Sequence, residues 1–454
     1  TSGDWTDIPS VDGYTVLSTI DINLQDLLEH ELNAMLDSAD AEWGTAMIME
    51  VATGDIKAMA NLERDQNGDY IEAYNRAVVA YEPGSVVKTI SMLIALEDGL
   101  ISDLNETFQI GQSFTYGSPI RDSHYIGSAT VEGILEQSSN IGMTKIIIRG
   151  YDGKCQAFVD RLRSIGLFDK MNSGIAEEEM VRVTPTRGKR DLANISFGYS
   201  SAIPPIYTLS IYNAIANDGA YVRPRLVRGL RTEHGDSLFE PTYVRDRICS
   251  PENAAKLRQM LKAVVHGSHG TARRMKNDVV PLAGKTGTAN HLDMSTGRYD
   301  KSRNRLAFCG FFPADNPKYS MMVLTFNPKG AYRGPALSSG LVFKNMALKM
   351  YSRGMFEVEG GDYHTDAPSK PAMAVSPAGS APSTAMTGKI PVRTLKNSSS
   401  AKDTIPSAIN LSLTDAVAML EKAGYEVEFS GAGRVKSQRI AGPGVIHLNL
   451  SPSY

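Results

Sequence analysis

Cysteine is scarce in this chain. Its 454 residues include three, Cys155, Cys249 and Cys309, too few for a disulfide scaffold and without the CxxC spacing of a zinc or redox site. Cys309 lies in the apolar run RLAFCGFF, where an inert core thiol is expected. No apolar run approaches the roughly 18 residues that a membrane-crossing helix needs, and the start shows no signal-peptide pattern. The first residue is Thr1 and not methionine, so the chain reads as trimmed, with a native membrane anchor expected upstream. Excess charge is missing too. A formal net charge of −3 gives no footprint for nucleic acid or a membrane surface. The histidines are scattered, and the closest pair, His266 and His269, flanks Gly267 at what reads as a helix end, so neither a metal site nor a cofactor is expected.

What is present is the composition of a globular protein, 42% hydrophobic and 21% charged, with length for two or three domains. Leu24, Leu27, Leu28, Leu32 and Leu36 recur on one helical face. TAMIMEV, a turn at ATGD and IKAMA read as a strand hairpin. Mostly helical sequence follows from Ser85 to about Asn217. Ser250, Pro251 and Gly267 mark out a further helix as cap, first residue and stop. Three strand runs come next, LAGKTGTA, RLAFCGFF and YSMMVLTF, the last two joined by the turn PADNPK, and then a helix over 338–350. Five strands split around a helical insertion predict an α+β domain, an antiparallel sheet covered by helices. Residues 359–403 are rich in Pro, Ser, Ala and Gly and read as a linker between a domain at 1–358 and a small unit at 404–454. In that unit LTDAVAMLEKAG has helical spacing and YEVEF alternates strictly.

One short stretch, YEPGSVVKTI, places Lys88 in the first turn of an apolar helix that opens near Ser85 and stops at Gly99. A helix N-terminus disfavours an ammonium group, while residues three apart share a face. Two readings are open: Ser85 as a cap with a snorkelling lysine, or a serine activated by a lysine. Taken alone the pattern carries little weight, and Ser399 to Lys402 repeats it inside a serine-rich stretch. EQSSNIG places Ser138, Ser139 and Asn140 on a connection between helices, and AGKTGTAN interrupts a strand with Gly284 and Gly287. Glycine inside a strand often marks close approach of a ligand or another backbone.

In the order SxxK, SxN, KTG these three form the known signature of penicillin-recognising serine acyl transferases. VATGDIKAMAN, NRAVVAYEPGSVVKT, SFGYSSAIPPIYTLSIYNAIANDG and FCGFFPADNPKYSMMV extend the likeness, so residues 13–354 resemble the transpeptidase domain of class B penicillin-binding proteins, division-type enzymes of the Bacteroidetes kind. The final unit resembles a PASTA module. The resemblance implies the penicillin-binding transpeptidase fold, a five-stranded antiparallel sheet covered by helices with a helical subdomain, followed by a small α/β PASTA-like module. It also implies the periplasmic face of the bacterial inner membrane, peptidoglycan stem peptides as substrates, β-lactams as covalent inhibitors, and division and glycosyltransferase proteins as partners.

By the same resemblance Ser85 is the nucleophile, Lys88 its base, Ser138 a proton relay and Asn140 a holder of the substrate amide. Lys285 acts as a second cation and Thr286, Gly287 and Thr288 bind substrate, while the backbone N–H groups of Ser85 and Thr288 form the oxyanion hole. A lysine serves as base only with a lowered pKa, which burial, a helix N-terminus and a second cation all favour. Strand alternation alone aims Lys285 away from Thr286 and Thr288, so its place in the site follows from the resemblance. EHELN at 29–33 matches the pattern of a deacylating glutamate but precedes the nucleophile and falls within the leucine stripe. The rival functions on the same fold are a D,D-carboxypeptidase, a β-lactamase and a β-lactam-binding sensor.

Overall fold

The computed structural model describes residues 13–358 except 184–187, 233 and 294–297, and in the C-terminal part 407–409, 411, 416, 419–420, 425–430, 434–442 and 445–451. The chain divides into two compact units, Thr1–Thr365 and Asp366–Tyr454. In the first, the helices are α1 (Ile22–Ser38), α2 (Val87–Glu97), α3 (Val131–Glu136), α4 (Asn140–Tyr151), α5 (Cys155–Ser164), α6 (Lys189–Phe197), α7 (Pro205–Ala216), α8 (Pro251–His266) and α9 (Ser339–Ser352).

The main sheet runs in the order Ala283–Asp293, Arg298–Phe312, Tyr319–Phe326, Trp43–Glu50, Ile56–Arg64, Tyr70–Glu72, and every neighbouring pair is antiparallel. Alternation along these strands divides the core in two. Ala46, Ile48, Met321, Val323, Phe308 and Phe312 pack with the leucines of α1 and with Val342, Phe343 and Met346 of α9. Met47, Met49, Met322, Leu324, Cys309 and Phe311 face the other way and pack with α2, α4, α6 and α7. The α+β expectation holds, with helices on both faces. The sheet has a sixth strand, Tyr70–Glu72, beside Leu62–Arg64. Its three residues are too few to show alternation, which is why five strands were expected.

Local signals account for the element ends. Asp21 caps α1 by accepting the N–H groups of Asn23 and Leu24, and Leu24, Leu28, Leu32 and Leu36 are fully buried, each stabilising the fold by roughly 1.5–3 kcal/mol. Ser250 caps α8 by accepting the Asn253 N–H at 3.2 Å. Gly99 follows the end of α2 with a φ of 66°. The region expected to be mostly helical also carries short strand pairs, Thr107–Gly111 with Ile126–Thr130 and Phe114–Tyr116 with Ser118–Ile120. A three-stranded sheet joins Thr15–Ser18, Val227–Thr232 and Gly235–Leu238.

In the second unit Glu426–Ser430 lies parallel to Val445–Ser451, and Arg434–Gly442 lies antiparallel to that same central strand. Ala408, Ala416, Leu420, Val435, Ile446 and Leu448 form its buried cluster. The linker expected at 359–403, and most of the helix read from LTDAVAMLEKAG, lie outside the described residues.

Candidate functional site

Ser85 occupies a 3-10 turn, Gly84–Val86, that runs into α2 at Val87. Gly84 has a φ of 61°, and a Cβ built on it would lie 2.6 Å from the Thr288 carbonyl oxygen. The turn therefore packs backbone to backbone on Ala283–Asp293, hereafter the KTG strand. A Cβ on Gly287 would in turn come within 3.0 Å of Val86 Cγ1. On its other side the turn is held by the Gly84 N–H, which donates to Gly198 O at 3.1 Å just beyond α6. From α7, Tyr212 Oη lies 2.7 Å from both Val86 O and Thr89 Oγ1. One hydroxyl thus donates to the carbonyl and accepts from the threonine.

Ser85 caps nothing, and Lys88 does not snorkel. No side-chain cap bond is made at the start of the turn or of α2, and Lys88 is completely buried. Its Nζ lies 2.7 Å from Ser85 Oγ, 2.9 Å from Ser138 O and 3.2 Å from Ser138 Oγ. A neutral amine has two hydrogens and one lone pair. It can donate to Ser138 O and Ser138 Oγ while accepting the Ser85 proton, an assignment closed to an ammonium group, which only donates. Burial pushes the Lys88 pKa down to about 7, against a smaller upward pull from Asp122. The cap-and-snorkel alternative is therefore excluded by position and by contacts.

Ser138 lies between α3 and α4 in the left-handed region, with a φ of 60°, a conformation that costs a residue with a side chain about 1 kcal/mol and gathers at functional sites. Asp122, which the sequence reading passed over, holds this corner. It accepts the Ser139 hydroxyl at 2.6 Å on one oxygen and the Ile141 N–H at 3.1 Å, with the Asn140 N–H, on the other. Ser139 also caps α4 by accepting the Gly142 N–H at 2.8 Å. Asn140, the first residue of α4, donates from Nδ2 to Arg121 O at 3.0 Å.

Thr286 and Thr288 line the same groove as Ser85, Ser138 and Asn140, a cavity of about 640 Å³. Spacing of two along a strand predicts that shared face. Lys285 is fully buried, and its long side chain bends so that Nζ lies 3.1 Å from Thr286 O and 3.4 Å from Thr286 Oγ1. Flexibility of four methylenes thus defeats the simple alternation argument. Burial, and then the charge of Lys88, hold the Lys285 pKa well below its ordinary value. The KTG strand is the edge of the main sheet, so alternate backbone N–H groups point away from the ladder.

The groove also contains residues that no spacing rule singled out. Thr271 Oγ1 lies 2.8 Å from Thr286 Oγ1, and His124, Tyr199, His269 and Arg273 complete the walls. Thr271 follows α8 in the polar loop SHGTARRM, where only folding brings it beside the KTG strand. The two misleading motifs separate from the site. Glu29 of EHELN is exposed on α1 and accepts from Gln25 of its own helix at 2.7 Å, while Ser399 and Lys402 lie outside the described residues. No group of three or more metal-ligating side chains occurs among the described residues.

Residues 44–347 match the penicillin binding protein transpeptidase domain. Among curated relatives, penicillin-binding protein PbpB of Mycolicibacterium smegmatis is 28% identical over 76% of this chain and 55% of its own length. The peptidoglycan D,D-transpeptidase FtsI of Escherichia coli is 28% identical over 73% of this chain and 56% of its own. The chain thus spans about half the length of the curated relatives it matches. In structure it resembles penicillin binding protein 3 of Mycobacterium tuberculosis complexed with aztreonam, with a TM-score of 0.68 and 29% identity over 76% of this chain and 80% of that one. It also resembles the transpeptidase domain of Burkholderia pseudomallei penicillin-binding protein 3, with a TM-score of 0.64 and 26% identity over 74% of this chain and 96% of that one. With the Ser85–Lys88 pair set between the Ser138–Asn140 corner and the KTG strand, the chain belongs to the penicillin-binding protein transpeptidase family.

Proposed function

We propose that this protein is a serine D,D-transpeptidase that cross-links peptidoglycan stem peptides through an acyl-enzyme on Ser85 and is covalently inhibited by β-lactams. The observation that carries the reading is a fully buried lysine whose nitrogen lies 2.7 Å from the Ser85 hydroxyl. Lys88 Nζ takes the Ser85 proton as Oγ attacks the carbonyl of the penultimate D-alanine. Ser138 relays that proton to the departing D-alanine nitrogen. The N–H groups of Ser85 and Thr288 stabilise the oxyanion, an arrangement whose loss elsewhere costs roughly a hundred- to a thousandfold in rate. Asn140 accepts the substrate's amide N–H.

Lys285 is buried, and among the described residues Thr286 is its hydrogen-bond partner. A buried lysine without a counter-ion is a receptor for one. The terminal carboxylate of the stem peptide, held by Thr286 and Thr288, supplies it and restores the charge on Lys285. Gly287 gives the turn of Ser85 its close seat on the strand.

The relatives' names include peptidoglycan D,D-transpeptidase FtsI and probable peptidoglycan D,D-transpeptidase PenA, which supports action on peptidoglycan. The reading places that action in septal wall synthesis, at the periplasmic face of the inner membrane with an upstream anchor and with division and glycosyltransferase partners. The domain plan we adopt is a transpeptidase domain over 1–358, a linker over 359–403 and a PASTA-like recognition module over 404–454. Incubation with a D-Ala-D-Ala stem pentapeptide and an amine acceptor tests the reaction. Release of D-alanine together with a cross-linked dimer is the expected result. Release with hydrolysed tetrapeptide alone makes the protein a carboxypeptidase, and a persistent acyl-enzyme with neither product makes it a sensor.

A further inference from the structure

A second cavity, of about 550 Å³, adjoins the catalytic groove and shares His124, His269 and Arg273 with it. Glu136 and Gln137, which immediately precede Ser138, line it, as does the exposed Ser128. Glu136 is fixed in place. Its Oε1 accepts the His269 N–H at 2.8 Å, and its backbone carbonyl accepts the Thr271 N–H at 3.2 Å. Glu136 is half-buried on the wall of the bay, and no hydrogen bond to its Oε2 is formed among the described residues. Arg273 is exposed on the saddle between the two cavities with no ion pair among the described residues.

The geometry points to this bay as the acceptor subsite, which binds the amine-bearing stem peptide of a second strand, with Glu136 attracting its ammonium group and Arg273 meeting a carboxylate. The inference rests on the transpeptidase reading and adds to it where the second substrate sits. The donor's leaving group departs past Ser138, and by microscopic reversibility the attacking amine enters there too. The amine nitrogen attacks the acyl carbon, and the bond from that carbon to Ser85 Oγ breaks. Of the ammonium's three protons, one is released to solvent before attack, one passes through Ser138 and Lys88 to Ser85 Oγ, and one stays on the amide of the cross-link. A carboxylate two residues upstream of Ser138 draws the ammonium to the point where it must give up its proton. A bay lined only by neutral groups would offer no such preference over water.

The test follows the fate of the acyl-enzyme. With a thioester donor and a diamino-acid stem peptide as acceptor, the full chain and its Glu136→Gln and Ser128→Phe variants are compared for acylation rate, hydrolysis and aminolysis. Glu136→Gln keeps an acceptor for the His269 N–H but removes the charge, while Ser128→Phe fills the bay. Both are expected to raise the acceptor KM at least tenfold and to shift products from dimer to hydrolysed donor, with acylation by the donor retained. Unchanged partitioning in both variants overturns the assignment, as does equal loss of acylation and aminolysis. A parent protein that is acylated but transfers to no amine removes the transpeptidase reading itself.

Discussion

Lys88 Nζ sits 2.7 Å from Ser85 Oγ with no water-exposed surface of its own. A base so placed must work neutral, and burial supplies that state by holding its pKa near 7. Acylation should therefore rise with pH through a midpoint near 7. Asp122 pulls the Lys88 pKa upward, so Asp122→Asn, which keeps an acceptor for the start of α4, should move that midpoint to lower pH. Measured rates of β-lactam acylation against pH check both statements.

The same burial destabilises the fold. Unfolded, Lys88 keeps its proton to its ordinary pKa of 10.5; folded, it loses it near 7. Between those values the unfolded chain binds more protons, so this group's contribution makes stability rise with pH from about 7 to 10.5, and its full penalty is present below 7. Lys88→Met should raise stability by on the order of 1–3 kcal/mol while abolishing acylation. Lys88→Arg supplies a group that stays protonated and should also nearly abolish it. Lys285→Arg keeps a cation for the substrate carboxylate and should leave more residual acylation.

Gly84→Ala tests the seat of the nucleophile. Its φ of 61° and the 2.6 Å approach to Thr288 O force the turn and the KTG strand apart. Misplacement of about 1 Å can cost about a hundredfold in rate, and an acylation loss of that size is expected in stopped-flow measurements.

The ion pair of Lys349 with Glu31 joins α9 to α1 on the sheet face opposite Ser85. Glu31 is 6% exposed and also accepts from Asn345 at 2.9 Å. Lys349→Ala should cost about 1 kcal/mol in denaturant unfolding, because the lysine is 44% exposed and Asn345 still serves Glu31, and should leave acylation unchanged.

The transpeptidase unit extends past Gly354. Phe356 is buried, with ring centroids 5.5 Å from Phe312 and 5.8 Å from Tyr351. A chain ending at 358 should be acylated within a few fold of the full chain. Ending at Gly354 should cost roughly 3 kcal/mol, the scale of a buried phenylalanine.

Much of this was legible in the residues. The leucines of α1, the caps of α8 and the alternating strands gave the layers, because apolar spacing reports the face an element buries. The three motifs gave residues that meet at one groove, lined by Ser85, Ser138, Asn140, Thr286 and Thr288 with Lys88 against Ser85. Spacing could not place Lys285, whose Nζ reaches the Thr286 hydroxyl, nor find Asp122 and Thr271, polar loop residues that act through contacts distant in sequence. The sixth strand and the short hairpins were invisible for a different reason. Three to five residues on a polar surface carry no readable period.

Peptide mapping by mass spectrometry after exposure to benzylpenicillin tests the account most directly. One penicilloyl group on the peptide containing Ser85 is predicted, persisting far longer than it took to form, absent in Ser85→Ala and unchanged in Ser399→Ala. A label on any other residue, or its survival in Ser85→Ala, would contradict the assignment of the nucleophile.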